Sequence, residues 1–276
     1  GSSPRVDHAE SGMSERLSIA RAAYADVPLY DPQRVPIACD LTDNTNLWGA
    51  PPAAEEALRS ASATTVTRYP TLYAGALKAA LAEYAGVSPD MVVTGCGSDD
   101  IIDSAMRAFG EPGDVVVGSD PTFAMIPIFA RMNSLVWNGV AECASGDGQP
   151  DVDGLLASRA RITYLCSPNN PTGTLIARDR MERVIANAGG IVLIDEAYAE
   201  FAGVSSVDLA GSSDRVLVIR TLSKAFGLAG LRVGYAIGHP ALVREVEKSR
   251  GPYKVNALAE RAALAALERD RPWIDA

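Results

Sequence analysis

Short apolar runs alternate with longer segments of helical period from about Pro70 to Arg250. That alternation predicts βαβ units wrapped around a mostly parallel sheet. Strands are predicted at Met91–Thr94, Asp114–Val117, Ile162–Cys166, Ile191–Ile194, Arg215–Arg220 and Val233–Ile237, and helices over Leu72–Tyr84, Asp99–Phe109, Arg178–Ala188 and Ala241–Lys248. No internal repeat and no low-complexity tract interrupts the pattern. Open α/β sheets collect ligands at the carboxyl ends of their strands, so the residues after each strand carry the interest. They read GCGSDD after Thr94, SPNNPTG after Cys166, DEAY after Ile194 and TLSK after Arg220, four polar clusters expected to face one crevice.

Composition narrows the chemistry. The chain has 276 residues, 47% hydrophobic and 21% charged, enough apolar material for a sizeable core. Its formal net charge of -9 argues against nucleic acid or an anionic membrane surface as partner. No apolar run reaches the roughly 18 residues that would span a bilayer, and the start has no signal-peptide pattern, so the expected location is the cytoplasm. Cys39, Cys96, Cys143 and Cys166 are scattered without a CxxC pair, which predicts reduced cysteines rather than zinc ligands or disulfides. The first dozen residues read as an expression leader, leaving His239 as the one native histidine. A histidine triad or a multi-histidine metal site is thereby excluded, and no metal is expected. Proton transfer falls to Lys, Tyr, Cys or carboxylates.

Each cluster has a plain structural explanation beside a functional one. TGCGSDD runs from strand through a glycine turn into a helix and could present free N–H groups to a phosphate. It could equally be an ordinary βα turn with Ser98 or Asp99 as the N-cap. SPNNPTG is a rigid turn that could hold an amide at a strand end, or simply a tight loop. In IVLIDEAYAEF an apolar strand runs into Asp195, which calls for a cation opposite it. A structural salt bridge would serve as well, with Glu196 as its solvated neighbour. In RTLSKAFGLAGLRVGY, Thr221 and Ser223 supply hydroxyls, Lys224 an amine whose apolar setting should depress its pKa, and Arg232 a planar cation suited to a phosphate dianion. Lys224 is a candidate Schiff-base former or a lysine snorkelling beside glycines. Together the four supply an amine, an acid for a pyridine nitrogen, donors for a phenolate and a phosphate cradle, which describes a pyridoxal 5′-phosphate site.

SPNNPTG, IDEAY and RTLSKAFGLAGLRVGY, taken together over about Arg68 to Val255, resemble fold-type I pyridoxal-phosphate enzymes of the class I/II aminotransferases. The similarity is greatest to the histidinol-phosphate aminotransferase branch. The resemblance implies a three-layer α/β/α large domain in which Lys224 binds the cofactor covalently and moves the substrate proton. Asp195 would pair with the pyridinium nitrogen, and Asn170 and Tyr198 would hold the ring oxygen. The backbone at Ser98 and Asp99, with Thr221, Ser223 and Arg232, would hold the phosphate. Phe123 would stack on the ring, or be plain core. Tyr69 would reach the cofactor phosphate of a neighbouring subunit, which implies a homodimer.

Two departures stand out. Relatives carry an N-E-N-P-like segment where this chain has DNTNLWGAPP, with Thr45 and Leu47 in place of Glu and Pro, so substrate preference is open. Tyr30 could lie on the substrate side or be a packed surface tyrosine. Relatives also continue into a small domain that carries a substrate-binding arginine. This chain ends at Ala276, with that domain expected to be absent or truncated, and Arg250, Arg261 and Arg269 do not match the arginine's motif. The expected organisation is a leader over 1–12, an arm or part of the small domain over 13–46, the cofactor-binding large domain over 47–254 and a linking helix over 255–276. The leading reading is a transaminase acting on an amino acid and a 2-oxo acid or imidazole acetol phosphate. Alternatives are a decarboxylase of a phosphorylated amino acid such as threonine phosphate, and a non-catalytic aminotransferase-like binding protein.

Overall fold

The computed structural model describes residues 19–29, 38, 41–143 and 146–276. The expected leader, Tyr30 and Cys39 lie outside the described residues. Seven strands form one sheet: β1 Val92–Cys96, β2 Val115–Asp120, β3 Val136–Ala141, β4 Ile162–Cys166, β5 Ile191–Asp195, β6 Val216–Thr221 and β7 Val233–Gly238. Their spatial order is β1-β7-β6-β5-β4-β2-β3. Strands β3, β2, β4, β5 and β6 run parallel, while β7 is antiparallel to both β6 and β1.

The central strands read as unbroken apolar runs because both faces of the sheet are covered. Along β5, Ile191 and Leu193 enter one core and Val192 and Ile194 the other. The first core is roofed by helices Gly75–Ala85, Arg178–Asn187 and Ala257–Arg269, through side chains such as Leu77, Leu81, Met181 and Val184. The second is roofed by Gly97–Phe109, Met125–Met132 and Pro240–Arg250, through Ile101, Met106, Ile126 and Val243. This is the expected three-layer arrangement.

All six predicted strands form. β3 does not stand out in the sequence because it is an edge strand whose residues are largely exposed, so no apolar run marks it. The helix expected to begin at Leu72 begins at Gly75, because Tyr73 and Ala74 adopt left-handed backbone (φ 55° and 51°) and break the helix there. Among the described residues no helix is long and apolar enough to cross a membrane.

The reversal at β7 positions the site. Parallel neighbours need a crossover of a dozen or more residues, whereas Leu222–Arg232 returns the chain directly to the adjacent position. Lys224 therefore lies in a loop at the carboxyl end of β6. The register puts Thr221 beside Gly234, Cys96 beside Val233 and Cys166 beside Asp195 at that same edge of the sheet.

Candidate active site

The four clusters meet in one crevice of about 560 Å³. Its walls include Ser98, Asp99, Phe123, Asn170, Asp195, Tyr198, Thr221, Ser223, Lys224 and Arg232, all from the predicted set. Tyr69 is the exception. It is 85% exposed, stacks on Tyr253 at 5.1 Å between ring centroids, and lies outside the crevice. Phe123 packs against the core and also lines the crevice. Asn170 is held at the end of β4 by its loop, where the neighbouring Asn169 donates to Pro121 O and Thr172 Oγ1.

Lys224 Nζ donates to the carbonyl oxygen of Asp43 at 2.6 Å and lies 5.7 Å from the Tyr198 ring centroid. Burial holds its pKa below the usual lysine value, opposed by the negative charges of Asp43, Asp99 and Asp195. The depression expected from the sequence is thus present. Tyr198 Oη accepts from Asn44 Nδ2 at 2.9 Å, and burial raises the phenol. Asn46 Nδ2 donates to the carbonyls of Lys224 and Ala225, which ties the Asp43–Asn46 segment to the lysine loop.

Asp195 is 4% exposed. Its Oδ2 accepts from Tyr164 Oη at 2.7 Å and its Oδ1 from the Ala197 N–H at 3.0 Å. Burial pushes its carboxyl up to about 6, against the pull of those two donors. Among the described residues, the salt bridge allowed for at Asp195 is not there. It is made one residue on, where Glu196, expected to be solvated, is 2% exposed and accepts from Arg220 Nε and Nη2 at 3.1 and 2.9 Å. Strand alternation is the reason. Asp195 points to the crevice side at the end of β5, and Glu196 turns to the opposite side, where Arg220 of β6 waits.

At the Arg232 end of the crevice, neither Ser98 nor Asp99 caps the helix Gly97–Phe109, which starts without a side-chain cap. Asp100 instead accepts from the Cys96 N–H at 2.9 Å. The helix therefore presents its positive end to the crevice. Arg232 adopts left-handed backbone (φ 55°) and brings its guanidinium to Gly97 and Asp99, with Nη2 3.3 Å from Asp99 Oδ2. Asp99 is raised by burial although Arg232 and Lys224 oppose the shift. Two glycines make room. A Cβ at Gly97 (φ 84°) would sit 2.5 Å from Arg232 Nη2, and one at Gly234 would sit 2.2 Å from the Gly97 carbonyl carbon. Thr221 Oγ1 donates to Ser223 Oγ at 2.9 Å, so the two hydroxyls form one unit beside this cradle.

The arrangement fits pyridoxal phosphate on its own terms. A buried carboxylate without an ion-pair partner among the described residues suits a pyridinium nitrogen, a partly desolvated amine suits a carbonyl, and a helix N-terminus beside an arginine suits a phosphate. Asp43, Asn44, Thr122 and Tyr164 are parts of this site that the sequence did not reveal. Asn44 carried a signal, since it lies in the DNTNLWGAPP departure. Tyr164 carried none, because a strand tyrosine reads as core. Arg250 is buried under Tyr73, Arg261 donates to Ala57 O and Arg269 pairs with Glu56, all away from the crevice.

Comparison with known proteins agrees with this geometry. The family model described as aminotransferase class I and II matches residues 37–273, and the chain belongs to that family. It is 37% identical over 254 residues to a histidinol-phosphate aminotransferase of Desulfitobacterium hafniense, covering 90% of this chain and 70% of the relative. It is 41% identical over 235 residues to one from Roseiflexus castenholzii, covering 83% and 62%. Among solved structures, a putative histidinol-phosphate aminotransferase from Erwinia carotovora atroseptica superposes with a TM-score of 0.77 at 30% identity, covering 84% of this chain and 69% of that one. The histidinol-phosphate aminotransferase of Sinorhizobium meliloti, solved in complex with pyridoxal-5′-phosphate, gives 0.77 at 27% identity, covering 84% and 64%.

Proposed function

We propose that this chain is the cofactor-binding part of a pyridoxal-phosphate-dependent transaminase. It would carry an amino group from an amino acid to imidazole acetol phosphate or a related oxo compound. The observation that carries the reading is the meeting of Lys224, Asp195, Tyr198, Asn170 and Arg232 around one crevice, in a chain 36% to 41% identical to several histidinol-phosphate aminotransferases.

When bound, the cofactor supplies an aldehyde for amines and a ring that withdraws electrons from the substrate's α-carbon. Lys224 would hold it covalently and, once an incoming substrate amine displaces its nitrogen, would be free to take and return the proton at that carbon, a task its depressed pKa favours. Asp195 would hold the ring nitrogen, and Asn170 and Tyr198 would hold the ring oxygen. The Ser98 and Asp99 backbone, Thr221, Ser223 and Arg232, which line the crevice, would hold the phosphate, and Phe123 would cover one ring face.

The same reading makes residues 47–254 the cofactor-binding domain and the enzyme a cytoplasmic homodimer. Cys96, Cys143 and Cys166, free of disulfides among the described residues, support a reducing compartment. Tyr69, exposed and away from its own crevice, supports a role toward a second subunit.

Mixing the protein with pyridoxal phosphate should give a visible band that Lys224→Ala abolishes. Glutamate with imidazole acetol phosphate should then yield 2-oxoglutarate and histidinol phosphate. No Lys224-dependent band would defeat every enzyme reading. Carbon dioxide release from a phosphorylated amino acid in place of 2-oxoglutarate would make the protein a decarboxylase.

A further inference from the structure

Tyr164 stands in the middle of β4, between two covered faces, and is fully buried. A phenol in such a place must find a hydrogen-bond partner. Its hydroxyl donates to Asp195 Oδ2 at 2.7 Å. The parallel register sets Tyr164 beside Leu193 and Cys166 beside Asp195, so the phenol leans two pairs along the strand to reach the carboxylate. Burial first, and the neighbouring Asp195 charge second, hold the phenol well above its ordinary pKa, so it stays a donor. Asp195 therefore receives two hydrogen bonds, from Tyr164 and from the Ala197 N–H, and no lysine or arginine is paired with it among the described residues. A carboxylate oxygen has room for more than one donor, so the crevice side of Asp195 remains available.

We propose that Tyr164 is a positioning residue that keeps the shared proton on the cofactor's ring nitrogen instead of on Asp195. The inference rests on the proposed cofactor reading. Between a buried carboxylate and a pyridine nitrogen one proton has two resting places, and each donor to the carboxylate favours its charged form. The Tyr164 hydroxyl thus biases the proton toward the ring. Deleting that hydroxyl leaves Asp195 with the Ala197 N–H alone, and the proton moves to the carboxyl oxygen. The ring then loses its positive charge and Asp195 its ionic grip.

The test is Tyr164→Phe, which keeps the ring in the core and removes one oxygen. Two probes are used, pyridoxal phosphate carrying 15N in the ring and the analogue in which CH replaces that nitrogen. In the variant the ring 15N resonance should move from the pyridinium position toward the neutral one. The dissociation constant for pyridoxal phosphate should rise about tenfold, the loss of one hydrogen bond to a charged group. Binding of the CH analogue should stay as in the unaltered protein. An unmoved resonance, or equal weakening of both ligands, would overturn the inference and leave Tyr164 a core residue. If the unaltered protein forms no Lys224-dependent band, the cofactor reading fails and this inference fails with it. If that band forms and the variant behaves as the unaltered protein, the Tyr164 role alone falls.

Discussion

Asp195 sets function against stability, and the cost can be worked from its surroundings. Its carboxyl is pushed from 3.8 up to about 6, chiefly by burial, with Asp99 and Glu196 adding to the rise and Tyr164 and Ala197 opposing it. Below pH 3.8 the group is protonated in folded and unfolded chains alike, and its burial carries no ionic cost. Between 3.8 and about 6 the unfolded chain releases a proton that the folded one keeps, so stability falls as pH rises, and above about 6 the loss is complete. That rise in pKa corresponds to a cost of about 3 kcal/mol. Asp195→Asn removes the charge but turns one acceptor into a donor facing Tyr164 or Ala197, which returns part of the gain. The cofactor-free variant should therefore be more stable by about 1 to 3 kcal/mol at pH 8, with the difference fading toward pH 4. Urea unfolding of both cofactor-free proteins between pH 4 and 8 measures it. A variant no more stable at pH 8, or a difference flat across that range, would refute the reasoning.

Glu196→Ala should have the opposite effect, since it strands Arg220 inside the protein with Glu200, at 3.7 Å, as its remaining carboxylate among the described residues. A loss of about 3 to 5 kcal/mol is expected, read as a lower urea midpoint, and a loss under 1 kcal/mol would show that Arg220 finds water. Gly234→Ala would drive a Cβ to 2.2 Å from the Gly97 carbonyl carbon and 2.3 Å from the Ser98 nitrogen, backbone that cannot swing aside. Pyridoxal phosphate affinity should fall at least tenfold, and titration of the visible band would detect the change or its absence.

Much of the site was legible because its chemistry is concentrated at strand ends. SPNNPTG, DEAY and TLSK each follow an apolar run, and the rule that open sheets bind at carboxyl ends gathers them without coordinates. The misjudged residues share one cause, which is that linear patterns do not show what lies across a strand. Glu196 looked solvated beside a strand end, yet the next strand presents Arg220 to it. Tyr164 sits within an apolar strand and is core, yet its hydroxyl reaches Asp195 on the neighbouring strand. Asp43 and Asn44 lie about 150 residues or more from Tyr198 and Lys224 in the chain, and only folding brings them to those side chains.

The sequence alone determined the layered sheet and the cofactor chemistry, because burial on two faces forces apolar runs and catalysis forces unusual polar residues at their ends. The tertiary structure decided how protons and charges are shared. The direct return of Leu222–Arg232 makes β7 antiparallel and brings Gly234 against the backbone of Gly97 and Ser98. Cross-strand neighbours then leave Asp195 buried without an ion partner among the described residues and seal Glu196 with Arg220. Hydrogen bonds and desolvation depend on distances of a few ångströms between residues remote in sequence, and those distances exist only in the folded chain.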